Sequence, residues 1–106
     1  MIYELRRYKT RPGRRSEWVQ LMESRIIPFQ ISKGFVVVGS FVSEEDDDTY
    51  VWIRRFADED ERKLLYAAVY ESAIWKNDID PLVDELLDRE ATEVFRLTPT
   101  PKSVLQ

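Results

Sequence analysis

The 106-residue chain contains neither cysteine nor histidine. Without cysteine it can build no disulfide framework, thiol nucleophile or thiolate metal site, which fits a reducing compartment. Without histidine it has no serine or cysteine triad of the usual kind, no proximal haem ligand of the commonest type, and no imidazole-based zinc or iron centre. Most familiar hydrolases are thereby excluded. Proton transfer near neutral pH would need a perturbed Glu, Asp, Lys or Tyr. No apolar run approaches the roughly 18 residues of a spanning helix and no signal peptide is evident, so a cytoplasmic protein with no membrane partner is expected. Neither a metal nor a cofactor is expected.

What is present suffices for one core: 43% of residues are hydrophobic and 12% aromatic, in a length that suits a single domain. The domain is expected over residues 1–98, with an irregular tail at 99–106 holding Pro99 and Pro101. The net charge of −4 is unevenly spread, with eight basic against three acidic residues through Lys33 and eight against seventeen after it. A basic start with an acidic remainder and no recognition motif speaks for internal charge pairing and against nucleic acid.

Ile2 to Thr10 alternates as a strand, with Tyr3, Leu5 and Arg7 on one face and Ile2, Glu4, Arg6 and Tyr8 on the other. Pro12-Gly13 ends it. Trp18, Leu21, Met22, Arg25, Ile26 and Phe29 then recur at helical spacing, and Pro28 is expected to kink or stop that helix. Phe35 to Val42 is apolar at both parities, as in a strand buried on both faces. Five consecutive acidic residues, Glu44 to Asp48, precede a third strand, Thr49 to Phe56. Asp58 with Glu61 resembles a capping box for a helix through Leu64, Leu65, Ala68 and Val69. Ser72 caps a short turn with Ile74 and Trp75, Asp80-Pro81 opens a helix burying Leu82, Val83, Leu86 and Leu87, and Thr92 to Leu97 is the last strand.

The order β-α-β-β-α-β with an added short helix is the ferredoxin-like α+β arrangement, an antiparallel sheet with helices on one face. The second strand offers no polar face to solvent. A symmetric homodimer, with Val36, Val38 and Val42 at the interface, is therefore expected to cover the bare side of the sheet.

Three segments carry a family resemblance: Ile2-Tyr3-Glu4-Leu5-Arg6 with Tyr8 and Pro12-Gly13; Val51-Trp52-Ile53-Arg54-Arg55-Phe56-Ala57-Asp58; and Val69-Tyr70-Glu71-Ser72 with Trp75-Lys76. In this order and spacing the chain resembles the NIPSNAP family across nearly its whole length. The resemblance implies a dimeric α/β barrel, in which two ferredoxin-like sheets close a barrel with helices outside. It implies no one reaction, since the wider superfamily spans cofactor-free monooxygenases, isomerases, haem enzymes and proteins of unknown role. The family's third strand commonly carries histidine and tryptophan two residues apart. This chain has Trp52 and Arg54 there, so it lacks the histidine on which a transferred activity would rest.

The acidic loop lacks the spacing and glycine of an EF-hand and reads as a solvated hairpin tip. Trp18, Tyr66, Tyr70 and Trp75 either pack the core or line a cleft between helices and sheet. Arg54 shares a strand face with Tyr50, Trp52 and Phe56. It is paired with a carboxylate such as Glu4 or Glu93, stacked on a ring, or ready for an anion. Tyr3, Trp52, Arg54, Tyr70 and Trp75 are the ligand-site candidates. Two functions follow: a dimer that binds a small organic molecule in the cleft, or a cofactor-independent monooxygenase or isomerase of a small aromatic or carbonyl compound. In the second, Tyr70 or Tyr3 moves protons and Arg54 steadies an enolate.

Overall fold

A computed structural model describes all residues from Met1 to Gln106. β1 (Ile2–Thr10) turns at Gly13, whose φ of +75° is open to glycine at little cost, into α1 (Arg15–Leu21). The helix continues through a π-helical stretch, Met22–Ile26, into α2 (Ile27–Ser32). β2 (Val36–Val42) and β3 (Thr49–Phe56) form the hairpin. α3 (Glu59–Tyr70), a second π-helical stretch (Ile74–Ile79) and α4 (Asp80–Leu86) lead to β4 (Leu87–Leu97). The four strands make one antiparallel sheet in the order β2-β3-β1-β4, the ferredoxin-like topology. No helix is long and apolar enough to cross a membrane.

The register of β1 on β3 sets Glu4 opposite Arg54, Arg6 opposite Trp52 and Tyr8 opposite Tyr50. All six therefore share the face on which the helices pack. There Tyr8, Tyr50 and Trp52 meet Trp18, Leu21, Met22, Ile26, Ile79, Val83, Leu86 and Leu87 in the main core. A second cluster, Phe35, Phe56 and Val69, closes the end under α3. Asp58 caps α3 by accepting from the Glu61 N–H at 2.8 Å, and Ser72 Oγ accepts from the Trp75 N–H at 3.1 Å.

Four local expectations are corrected. Pro28 does not break the first helix; it occupies the first turn of α2, where the π turn before it absorbs the missing N–H and the ring. That same π turn advances the helix phase, so Gln30 is fully buried while Arg25 is exposed. α3 buries Val69 and half-buries Leu65, Tyr66 and Tyr70, whereas Leu64 is 73% exposed. β4 begins at Leu87 directly after α4, five residues before the apolar alternation, because Lys9 and Thr10 pair with Asp88 and Leu87 and a sheet edge tolerates the charged run.

The other sheet face carries no helix. Tyr3, Leu5, Val51, Ile53, Phe95 and Leu97 stand on it by register, joined by Val36 and by Phe41, whose ring lies over Gly39. A Cβ at Gly39 would sit 2.5 Å from that ring. Of the three interface candidates, Val36 is on this face and 40% exposed, Val38 falls at the β2 bulge, and Val42 is in register with Tyr50 at the strand end. β2 is therefore an edge strand, covered on one side only.

Truncation should separate the two sides of α3. Val69→Ala is expected to cost about 2 kcal/mol in urea unfolding, and Leu64→Ala less than about 0.5 kcal/mol; equal losses would contradict the observed stripe.

Candidate functional site

At the centre of the helix-side face, β1 places a carboxylate where water does not reach. Glu4 is 1% exposed and accepts from Arg54 Nη2 at 2.5 Å, Arg6 Nε at 3.0 Å and Arg62 Nε at 3.1 Å, and from the Tyr66 hydroxyl. Burial alone would raise its pKa; Arg54, Tyr66 and Arg6 outweigh this and bring it down to about 2. Tyr66, desolvated and bonded to that carboxylate, is pushed up to about 12.

Arg54 is entirely buried. Its Nη1 donates to Gln30 Oε1 and to the Tyr70 hydroxyl, both at 2.9 Å, and its Nη2 also donates to Tyr66 at 2.7 Å. The guanidinium carbon lies 4.4 Å from the Trp52 ring centroid and 5.1 Å from those of Phe35 and Tyr66. Gln30 in turn donates from Nε2 to Tyr70 at 3.0 Å. One network thus joins β1, β3, α2 and α3.

Beside the network lies a cavity of about 420 Å³ between helices and sheet. Its wall includes Trp18, Trp52 and Trp75, the chain's three tryptophans, with Met22, Ile26 and Val83. Both π-helical stretches reach it, through Met22 and Ile26 on one side and Trp75 on the other. Such stretches recur at functional sites because the extra residue in the turn re-aims side chains. Tyr70 and Trp75 meet edge to face at 4.7 Å. The polar groups on the wall are Arg6, Tyr8, Gln30, Tyr66, Tyr70, Arg89 and Thr92.

The structure gathers Trp52, Tyr70 and Trp75 on this wall. Arg54 lies behind it, held by Glu4, Gln30 and the two tyrosines, so it positions Tyr70 and does not face the cavity. Tyr3 stands on the opposite sheet face and donates to the Gln106 carbonyl at 2.8 Å. The sequence reading missed Arg6, Tyr8 and Gln30 as site residues. The shared parity of Glu4, Arg6 and Tyr8 was a visible sign; Gln30, twelve residues beyond Trp18, is brought onto the same face as Trp18 by the π turn between them. In the acidic loop, Asp46 accepts from Thr49 Oγ1, the Thr49 N–H and the Asp48 N–H, which together hold its carboxyl below the usual range. No group of three or more carboxylates is placed to hold a metal ion.

The buried network makes stability depend on acid. A carboxyl ionised near pH 2 in the fold and near 4.5 when unfolded contributes stability that is complete above about pH 4.5 and is lost as pH falls toward 2. The loss from this group should be roughly 3–4 kcal/mol by urea unfolding. Glu4→Gln should cost about 3–5 kcal/mol at neutral pH by stranding Arg54, and should flatten the acid limb. An unchanged limb would remove Glu4 as its source.

A family model described as NIPSNAP matches residues 3–102. No curated protein matches the chain. Among solved structures, an Agrobacterium tumefaciens protein, described as a NIPSNAP family protein with unknown function, superposes with a TM-score of 0.90 at 26% identity, over 100% of this chain and 94% of that one. A second NIPSNAP family protein from the same organism gives 0.87 at 25% identity, covering 99% of this chain and 90% of that chain. An antibiotic biosynthesis monooxygenase gives 0.69 at 14% identity, covering 95% of this chain and all of the other, a likeness of fold alone. With 3–102 matched, the chain belongs to the NIPSNAP family.

Proposed function

We propose that this protein binds a small, largely apolar organic molecule in the helix–sheet cavity and works as a symmetric homodimer. The cavity carries the reading: about 420 Å³ of space walled by three indole rings is within the range of ligand sites, and a core with no occupant would be expected to close over such apolar surface. The homodimer is supported by the uncovered sheet face, where Val36, Phe41, Phe95 and Leu97 are each 40% exposed or more, and Leu5, Val51 and Ile53 lie between them. A contiguous apolar patch of this kind is unusual on a monomer. A second copy of the same face, packed sheet to sheet, removes it from water.

A second reading, a cofactor-independent monooxygenase or isomerase, is favoured by one observation. The Tyr8 and Tyr70 hydroxyls stand on a largely hydrophobic wall, where a phenol can donate to the oxygen of an enolisable substrate. Consumption of dioxygen or isomerisation dependent on an added enolisable aromatic would move the protein to this class.

Neutral aromatic compounds of two fused rings should raise the melting temperature by several degrees and quench the tryptophan fluorescence. No effect from any of them or from their carboxylates would overturn the cavity reading. Light scattering at micromolar concentration should report twice the chain mass, and Phe41→Asp with Phe95→Asp should halve it; a monomeric wild type would overturn the dimer.

A further inference from the structure

We infer that the molecule taken by the cavity is an anion, an apolar monocarboxylate whose charged end is held by Arg6 with the hydroxyls of Tyr70 and Tyr8. This rests on the cavity being a ligand site and adds the chemical class of what enters it.

The argument is a count of donors and acceptors. Arg6 uses one N–H, Nε, on Glu4, and its Nη1 and Nη2 groups donate to nothing in the protein, while its side chain is one quarter exposed on the cavity side. The Tyr70 hydroxyl oxygen already accepts from Gln30 Nε2 and Arg54 Nη1, so its lone pairs are taken and its own proton has no protein acceptor. The Tyr8 oxygen accepts a single bond, from Trp52 Nε1 at 3.0 Å, and its proton too goes unclaimed. Behind the wall, Arg54 Nε is buried without any acceptor. The network is short of acceptors throughout, and the groups left over are N–H and O–H donors.

Charge points the same way. Two carboxylates, Glu4 and Glu59, serve four guanidinium groups, those of Arg6, Arg54, Arg62 and Arg96. Of these only Arg6 lies on the cavity wall, and it shares the single Glu4 charge with Arg54 and Arg62, so its own charge is only partly compensated beside an apolar cavity, where a charge-assisted hydrogen bond is stronger than in water. Arg89, the other cation on the wall, is already paired with Asp80 and with Asp84. An apolar carboxylate supplies the missing acceptors and the missing negative charge, and its apolar body matches the indole wall.

The test compares three probes of one shape on the wild-type protein: 2-naphthoate, naphthalene and 2-naphthylmethylammonium, by isothermal titration and by quenching of tryptophan fluorescence. The expected result is that 2-naphthoate binds at least tenfold more tightly than naphthalene and that the ammonium compound does not bind. In Arg6→Gln, with Glu4 still held by Arg54 and Arg62, the advantage of naphthoate should fall below threefold while naphthalene binds as before. Tyr70→Phe should weaken naphthoate by a larger factor than it weakens naphthalene. Naphthalene binding as tightly as naphthoate, or an advantage that survives in Arg6→Gln, would overturn the inference and leave the apolar site standing. Failure of all three probes would remove the site itself and the inference with it.

Discussion

A single carboxylate sequestered from water organises this molecule. Glu4 is ionised to accept from three guanidinium groups and a phenol, and together these keep it an anion out of contact with water. Those partners come from β1 itself, from β3 and from α3, and Arg54 carries the linkage on to Gln30 of α2. The helix layer is thereby fixed in position over the sheet by directional bonds at one point. Apolar packing can slide by small amounts at little cost; a buried ion network cannot.

That fixed point explains how open space persists beside it. The Trp52 ring is stacked under Arg54 and tied through Nε1 to Tyr8, and Tyr70 is anchored by Gln30 and Arg54. Rings held in this way do not fold inward to fill the neighbouring volume. The two π-helical stretches contribute from the helix side, where an added residue turns Met22, Ile26 and Trp75 toward the cavity. In a family defined by its fold and shared sequence, the chemistry of the site rests on such details of this chain: Arg54 on β3 is committed to structure, and Arg6 on the adjacent strand holds the unspent donors.

The sheet divides the molecule into two unlike surfaces. On the helix side, polar groups are gathered into one buried network; on the other, Leu5, Val36, Phe41, Ile53 and Phe95 alternate with Arg7 and Arg55 and meet no layer of their own chain. An antiparallel sheet can leave one face in water when that face is polar. Here it is mostly apolar, which is the ground for the proposed dimer.

Much of this was legible in the residues themselves. β1 and β3 follow from alternation bounded by Pro12-Gly13 and by the acidic loop, and the cap of α3 follows from Asp58 and Glu61, because these are local effects that a few neighbouring residues decide. The family could be read from three short segments because their order and spacing reflect the whole topology. What needed tertiary structure was whatever depends on register or helix phase. Parity put Glu4, Arg6 and Tyr8 on one face, but only the pairing of Glu4 with Arg54 and of Arg6 with Trp52 decided which guanidinium would be consumed and which left free. Gln30 entered the network because a π turn, with no sequence mark beyond Pro28, shifted the helix by one residue. The sequence by itself determined β1, β3, the fold class and the absence of imidazole and thiol chemistry, since each depends on composition or on near neighbours. The tertiary structure alone decided the cavity and its unclaimed donors, since these arise from bonds between residues up to 62 positions apart.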